Sequence, residues 1–256
     1  MKFAIFEKTD KDVSNVTSKL LDEISIYPNF TMDNENPEIV FVLGGDGSLL
    51  KAAHKYMNNI DRILFVGIRC GTLGFFYDFS ESEIPYLVKL INDNQYHRES
   101  HNLLECHYDD KVLYAINEIR FESIEHVISI DVLLDDEYFE TYHGNGMLVC
   151  SELGSTAYNK SLGGAVINQK ISVLELTEIA PISNNMYRNL SSSYILDKNA
   201  VLKFKGNFKN AIIGYDHLTQ GFSMNELIIK SSSKRINLIY DNNHTSLTGI
   251  KRSFIK

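Results

Sequence analysis

Hydrophobic positions in the first hundred residues form short continuous runs separated by segments with helical spacing. The runs Phe3–Phe6, Ile39–Leu43 and Ile63–Ile68 are continuously apolar, which is typical of strands covered on both faces. Between them, Asp10–Ile24 places apolar residues on one helical stripe, and a second amphipathic segment follows the capping-box sequence Ser80–Glu83. Strands that alternate with helices indicate a parallel sheet, so this part of the chain predicts an α/β domain.

After about Glu99 the pattern changes to short apolar runs separated by polar turns. Asp109-Asp110 and Asp135-Asp136-Glu137 each have the composition of a hairpin turn, and a single strand is expected over Val112–Phe121. A helical interruption is expected at Ser155–Ser161. Further short strands are expected over 147–150, 201–204, 211–213, 227–229 and 236–240, with loops at the serine runs 191–193 and 231–233. Many short strands with polar turns predict a β-sandwich.

The two patterns together predict an α/β plus all-β protein. Residues 1–98 are expected to form a Rossmann-like α/β domain that binds nucleotide phosphates at a glycine-rich loop. Residues 99–244 are expected to form the β-sandwich. The locally basic tail, residues 245–256, is expected to pack back on the first domain.

Composition narrows the functional classes. With 256 residues, 44% hydrophobic and 23% charged, the chain has the composition of a soluble globular protein. A net charge of -8 argues against general nucleic-acid binding, which needs clustered Lys and Arg. The sequence has no membrane-spanning apolar stretch and no signal-peptide core, so we expect a cytoplasmic protein with no membrane partner. Cys70, Cys106 and Cys150 are widely spaced, which favours reduced thiols, and the histidines lack metal-ligand spacing, so no zinc site is expected.

The glycine-rich segment Gly44–Ser48, with the sequence GGDGS, carries the strongest chemical signal. It follows an apolar strand and precedes a helical segment expected to begin at Leu49. A strand, a glycine-rich turn and a helix place backbone N–H groups and the positive helix end against phosphate. A carboxylate in such a turn repels phosphate, so Asp46 is expected either to bind Mg²⁺ or to accept a proton. For an isolated GGDGS, a tight turn with Asp46 as a helix N-cap is an equal alternative.

Four separated segments resemble the NAD kinase family, in that family's order. They are Leu43–Leu50, Gly67–Phe76, Ala115–Glu118 and Gly154–Gly164. The GGDG sequence alone is shared with lipid kinases and phosphofructokinases, whereas the Asn-Glu pair and GSTAYN are more specific. The family's fold, an α/β domain followed by a β-sandwich, agrees with the pattern described above.

This resemblance implies transfer of the γ-phosphoryl group of ATP to the 2′-hydroxyl of the adenosine ribose of NAD, with Mg²⁺ as the divalent cation. Asp46 would be the catalytic base. The backbone at Gly44, Gly45 and Gly47 would hold the donor phosphates. The family resemblance further implies a homotetramer.

The resemblance also implies that the β-sandwich, residues 99–244, is the NAD-binding domain, and it implies a set of residues around NAD. Asn117 would bind adenine, Glu118 the ribose, and Asp216 would have a supporting electrostatic role. The complete set is Leu73, Gly74, Phe75, Phe76, Asn117, Glu118, His143, Asn145, Thr156, Ala157, Tyr158, Asn159, Lys160, Ser161, Ala180 and Asp216. Structural alternatives stay open for several of them: a turn that caps a hairpin for the Asn-Glu pair, core aromatics for the phenylalanines, a helix N-cap for Ser155-Thr156, and a surface role for His143.

Two departures from the family pattern bear on the nicotinamide ribose. Asn145 stands where the family usually has Asp, so the shape is kept and the charge is lost. The residues Glu152-Leu153-Gly154 replace the family's Pro-Thr-Gly. Two other hypotheses therefore stay open: a lipid or small-alcohol kinase of the GGDG fold, and a nucleotide sensor that binds NAD or NADP without turnover.

Overall fold

The computed structural model describes residues 1–8, 12–71 and 74–255. The chain divides into two compact units, Met1–His101 with Arg235–Lys256, and Asn102–Lys234. These limits differ from the expected boundary at residue 98 by three residues. They differ more at the C-terminal side, because residues 235–244 belong to the first unit and not to the sandwich.

The strands are β1 (Lys2–Glu7), β2 (Thr31–Met32), β3 (Ile39–Gly44), β4 (Leu64–Arg69), β5 (Phe79–Ser80), β6 (His97–Tyr108), β7 (Lys111–Ala115), β8 (Glu118–Glu122), β9 (Ile128–Leu134), β10 (Glu137–Gly144), β11 (Gly146–Ser151), β12 (Val173–Ile179), β13 (Tyr194–Asp197), β14 (Val201–Gly206), β15 (Ala211–Tyr215), β16 (Leu218–Phe222) and β17 (Glu226–Tyr240). The helices are α1 (Ser14–Ser25), α2 (Asp46–Lys55), α3 (Ile84–Asn92), α4 (Tyr158–Ser161) and α5 (Thr248–Phe254), with 3₁₀ turns at Met57–Arg62, Glu81–Glu83 and Gly154–Thr156. Within the described ranges, no helix has the length and apolar character needed to span a membrane.

The first unit contains a parallel sheet in the order β2-β1-β3-β4, and β4 also pairs in parallel with Asn237–Ile239 of β17. Every residue of β3 is buried, as expected for a continuously apolar strand. Helix α1 buries Val16, Leu20 and Ile24, the predicted stripe. The helix begins at Ser14, and the expected start at Asp10 lies outside the described residues. The α/β prediction for this part of the chain is confirmed.

The second unit is a sandwich of antiparallel strands. One sheet has the order β13-β12-β11-β8-β15-β16, and the other contains β10-β9-β14 with the first part of β17. Aromatic rings fill the core between them, with the Phe121 ring centroid 5.0 Å from that of Phe204 and 5.3 Å from that of Phe208. The sandwich prediction and both predicted hairpin turns are confirmed.

Three local predictions are wrong. The strand expected over Val112–Phe121 is broken at Ile116-Asn117 into β7 and β8, which belong to different sheets. The loop expected at Ser231–Ser233 lies inside β17, because the polar side chain of Ser232 is satisfied there by a 2.7 Å hydrogen bond to Glu105 Oε2. The helix expected over 155–161 is interrupted after the 3₁₀ turn and resumes as α4.

Candidate active site

Asp46 is the first residue of α2, and its carboxylate is bound by the backbone of the loop that follows β4. The N–H of Phe75 lies 2.9 Å from each carboxylate oxygen, and the N–H of Phe76 lies 3.1 Å from Oδ1. Gly45 is the N-cap of α2, and no side chain caps this helix, so the alternative that Asp46 is its N-cap is wrong. The helix therefore begins three residues before the predicted Leu49, and the carboxylate has a fixed orientation.

The surroundings of Asp46 have opposing effects on the pKa of its carboxyl. Burial raises the pKa of its carboxyl above the ordinary value, while the N–H groups of Phe75 and Phe76 and the guanidinium of Arg252 act to lower it. Burial prevails, so the net pKa shift is upward. An upward shift makes a carboxylate a better proton acceptor, because basicity rises with pKa.

Two side chains, those of Ser48 and Tyr77, pack closely against the backbone of the glycine turn. A Cβ atom at Gly44 would lie only 2.3 Å from Ser48 Oγ, so this position has no room for a side chain. The carbonyl oxygen of Gly45 accepts the phenol O–H of Tyr77 at 2.7 Å. Gly47 is exposed, and the backbone N–H groups of Asp46 and Gly47 donate no hydrogen bond within the described parts of the chain. The start of α2 thus presents unused donors, as helix N-termini do.

The residues after the second glycine-rich loop contribute backbone groups to this arrangement. The side chains of Phe75 and Phe76 are buried, and their rings meet edge to face at 5.5 Å. Gly74 lies against Tyr77, where a Cβ would come within 3.1 Å of the ring. The core alternative for both phenylalanines fits these contacts, and a wall against NAD stays a prediction. Leu73 lies outside the described residues.

In the second unit, Asn117 lies in the bend before β8, and Glu118 is the first residue of that strand. Because β7 and β8 lie in different sheets, the alternative that this pair caps a hairpin is wrong. Both side chains are buried, yet Asn117 Oδ1 and Glu118 Oε2 have no hydrogen-bond partner in the described residues. Buried polar atoms without partners are costly in a folded chain, and both of these atoms remain able to form a hydrogen bond with a ligand.

The carboxyl of Glu118 is strongly perturbed. Burial, followed by the negative charge of Asp216, raises its pKa to about 8, and Arg120 opposes the shift. At neutral pH the carboxyl is therefore mainly protonated. A neutral carboxyl can donate one hydrogen bond and accept others, which suits the hydroxyl groups of a ribose.

Asp216 holds the backbone of this pair. It lies in the turn between β15 and β16 with φ 51, and its buried carboxylate accepts the N–H of Ile116 at 2.9 Å and that of Asn117 at 2.7 Å. Its own N–H donates to the carbonyl oxygen of Glu118 at 3.1 Å. These three bonds break the strand at Ile116-Asn117 and fix the orientation of the pair.

Two of the other residues predicted to contact NAD use the polar atoms of their side chains for hydrogen bonds within the protein. The ring nitrogens of His143 contact the carbonyl oxygen of Thr141 at 3.1 Å and Ser129 Oγ at 3.2 Å. Asn145 donates its amide Nδ2 to the carbonyl oxygen of Ser123 at 3.0 Å. An aspartate at position 145 could not make this bond, so here the departure from the family pattern has a structural reason.

The segment formed by the 3₁₀ turn Gly154–Thr156 and helix α4 contains some half-buried residues and one residue whose side chain bonds only within the protein. The side chain of Asn159 is fully buried, and its amide accepts from Thr177 Oγ1 at 2.6 Å and donates to Glu175 Oε2 at 2.8 Å. No side chain caps α4, so the N-cap alternative for Ser155-Thr156 is wrong. Half-buried residues that face outward from this segment are Thr156, Ala157 and Tyr158. Exposed residues are Lys160, Ser161 and Ala180.

Sequence reasoning missed a group of charged residues around the Asp46 loop. Arg252 of α5 donates to the carbonyl oxygen of Tyr77 and, at 3.1 Å, to Asp78 Oδ1. His244 Nδ1 lies 2.6 Å from Asp78 Oδ2. The only sequence signal was the basic tail, which did not single out Arg252.

Comparison with known proteins places this chain among relatives of one activity. A family model described as the ATP-NAD kinase C-terminal domain matches residues 117–239. An NAD kinase of Lactobacillus johnsonii is 34% identical over 235 residues, which cover 89% of this chain and 86% of the relative. An NAD kinase of Streptococcus thermophilus is 33% identical over 265 residues, 100% of this chain and 94% of the relative.

Solved structures agree on the fold. A crystal structure of yeast NADH kinase complexed with NADH has a TM-score of 0.84, with 18% identity, and covers 98% of this chain and 86% of that one. An NAD kinase from Archaeoglobus fulgidus in complex with ATP has a TM-score of 0.77, with 21% identity, and covers 98% of this chain and 95% of that one. At these identities the similarity shows the fold.

Proposed function

This chain belongs to the NAD kinase family and phosphorylates NAD, and we propose that Asp46 accepts the proton of the 2′-hydroxyl of the adenosine ribose. The hydroxyl O–H bond breaks as its oxygen forms a bond to the γ-phosphorus of ATP, and the bond from that phosphorus to ADP breaks. The products are NADP, ADP and a proton, which passes through the Asp46 carboxylate. The observation that carries this assignment is the carboxylate held in place by the N–H groups of Phe75 and Phe76.

A fixed carboxylate suits this reaction because phosphoryl transfer depends mainly on positioning and on electrostatic stabilisation. A positioned general base typically contributes roughly 10²–10⁴-fold in rate. The upward pKa shift of Asp46 favours proton acceptance. The two N–H donors prevent the carboxylate from turning away from the nucleophile when the proton moves.

The start of α2 is proposed to bind the ATP phosphates. The N–H groups of Asp46 and Gly47 have no acceptor in the described parts of the chain, and Gly47 has open space where a Cβ would be. The ten-residue helix adds its positive end to these donors. Close approach of the phosphates is possible at Gly47, where a Cβ would meet open space, whereas Gly44 is buried against Ser48.

The residues around Asp46 fit a magnesium ion that arrives with ATP. Mg²⁺ usually binds one or two carboxylates together with substrate phosphates and water. Asp46 Oδ2 accepts a single N–H, so it retains a lone pair for the ion. In the described residues no group of three or more His, Cys, Asp or Glu side chains could hold a metal ion by itself. When bound, Mg²⁺ would neutralise charge on the transferred phosphoryl group.

The second unit is proposed to bind NAD through Asn117 and Glu118. The buried Oδ1 of Asn117 lacks a donor, and an adenine amino group can supply one. The buried Oε2 of Glu118 suits a ribose hydroxyl. Thr156, Ala157 and Tyr158 are proposed to line the same site.

A cytoplasmic homotetramer is proposed as the working form of the enzyme. The resemblance to the family supports the assembly, and apolar side chains exposed on the second unit, such as Met186 at 81%, offer surface for it. Light scattering on the purified protein in solution tests the stoichiometry directly.

NADP formation from NAD, ATP and Mg²⁺ by the purified protein tests the function. We expect turnover with NAD and none with diacylglycerol or other lipid alcohols under the same conditions. Turnover on lipid alcohols alone would favour the lipid kinase. NAD binding in calorimetry without turnover on any nucleotide or polyphosphate donor would favour the sensor.

A further inference from the structure

Helix α5, near the end of the chain, packs on the loop that holds Asp46. Arg252 donates to the carbonyl oxygens of Tyr77 and, at 3.5 Å, of Phe75. Gly249 lies so close that a Cβ there would be 3.0 Å from the carbonyl oxygen of Phe75. The guanidinium therefore binds the same short segment whose N–H groups bind the Asp46 carboxylate.

The guanidinium is itself held by a buried ion pair. Asp78 accepts from Arg252 at 3.1 Å and from His244 Nδ1 at 2.6 Å, and the side chains of Asp78 and His244 are only 5% and 3% exposed. The His244 ring stacks on the fully buried Tyr240 at 3.8 Å. A planar guanidinium that binds a carboxylate and two carbonyl oxygens together has a defined orientation, which a lysine ammonium could not reproduce.

These contacts form a continuous connection from α5 to the carboxylate. The peptide group between Phe75 and Phe76 carries both the carbonyl oxygen of Phe75, 3.5 Å from the Arg252 guanidinium, and the Phe76 N–H that binds Asp46. Rotation of this peptide group would move its donor and its acceptor together. Arg252 therefore restrains the Phe76 N–H through the Phe75 carbonyl oxygen, and it anchors the end of the same segment through the carbonyl oxygen of Tyr77.

We propose that Arg252 is a positioning residue for Asp46, which acts by locking the Phe75–Tyr77 backbone in the orientation that holds the carboxylate. The inference rests on the proposed role of Asp46 as the base. The base assignment alone requires no residue of α5, whereas this proposal requires the side chain of Arg252 for full turnover.

The test compares Arg252→Met with Lys251→Met, a control on an exposed neighbour in the same helix. For Arg252→Met we expect kcat to fall by about 10- to 100-fold, since small displacements of a reacting group have effects of this size. KM for NAD and for ATP should stay within about twofold, because the base contacts the reacting hydroxyl and contributes little to ground-state binding. The control should keep the wild-type kcat.

Arg252→Lys separates geometry from charge, and it decides the case if Arg252→Met does not fold. It should leave kcat reduced, because an ammonium cannot bind both carbonyl oxygens and Asp78. Wild-type kcat in Arg252→Lys, or normal kcat in Arg252→Met, would overturn the proposal. Asp46→Asn is measured alongside. If Asp46→Asn keeps turnover, the base assignment fails. If turnover is lost in Asp46→Asn but not in the Arg252 variants, Asp46 remains the base and only the proposed role of Arg252 is refuted.

Discussion

The carboxylate of Asp216 accepts the backbone N–H of Asn117 at 2.7 Å, across 99 positions of sequence. It also accepts the N–H of Ile116, so the turn between β15 and β16 fixes the bend that ends β7. The side chains of Asn117 and Glu118, which we propose bind NAD, are therefore oriented by Asp216, a residue that need not contact the substrate.

Asp216→Asn should weaken NAD binding. The amide has one oxygen for the N–H donors of Ile116 and Asn117, and its own NH₂ faces a donor. Loss of hydrogen bonds to a buried charged group costs about 1–3 kcal/mol, so we expect KM for NAD to rise about tenfold while KM for ATP stays unchanged. Asp110→Asn, in an exposed turn of the same unit, is the matched control. An unchanged KM for NAD in Asp216→Asn would show that the bend keeps its shape without the carboxylate.

Asn117→Ala should raise KM for NAD without lowering the stability of the ligand-free protein. Its Oδ1 is buried and has no partner in the described residues, so truncation removes an unsatisfied atom from the free protein and a ligand contact from the complex. Thermal unfolding with and without NAD measures both effects. A normal KM, or the same NAD-induced rise in Tm as in the wild type, would argue against adenine binding by this residue.

Glu118→Gln should change how stability depends on pH. The folded-state pKa of Glu118, about 8, lies above its ordinary value of 4.5, so the folded protein retains a proton that the unfolded chain releases between these values. The contribution of Glu118 to stability is therefore present below pH 4.5 and lost as pH rises through 8. Tm of the variant relative to wild type should be higher at pH 8.5 than at pH 5. The same Tm difference at both pH values would mean that the carboxyl ionises normally.

Asn145→Asp should destabilise the protein although it restores the residue usual in the family. Asn145 Nδ2 donates to the carbonyl oxygen of Ser123, and a carboxylate would face that carbonyl without a proton to share. We expect a loss of about 1–3 kcal/mol in the free energy of unfolding, with NAD use retained. Denaturant unfolding of the two proteins at pH 7.5 measures the difference. Equal stability would indicate that the carboxylate finds another donor.

The fold was largely predictable because its signals are local. Continuous apolar runs and Asp-rich hairpin turns fixed the α/β and sandwich parts, and GGDGS located Asp46. The contacts that hold the site are not local: Arg252 meets Tyr77 across 175 positions, and Asp216 meets Asn117 across 99. Periodicity contains no information on such pairs. For the same reason β17 was divided wrongly, since Ser232 within it donates to Glu105 of a strand that is distant in sequence.

Comparison of Asp46→Asn with the wild type most directly tests the central claim, that Asp46 is the base. The amide retains the size of the side chain and an acceptor for the N–H groups of Phe75 and Phe76, but it cannot take a proton. NADP formation at saturating NAD, ATP and Mg²⁺ should fall by roughly 10²–10⁴-fold, with NAD affinity in calorimetry close to wild type. Turnover within about twofold of wild type in a folded Asp46→Asn protein would contradict the account.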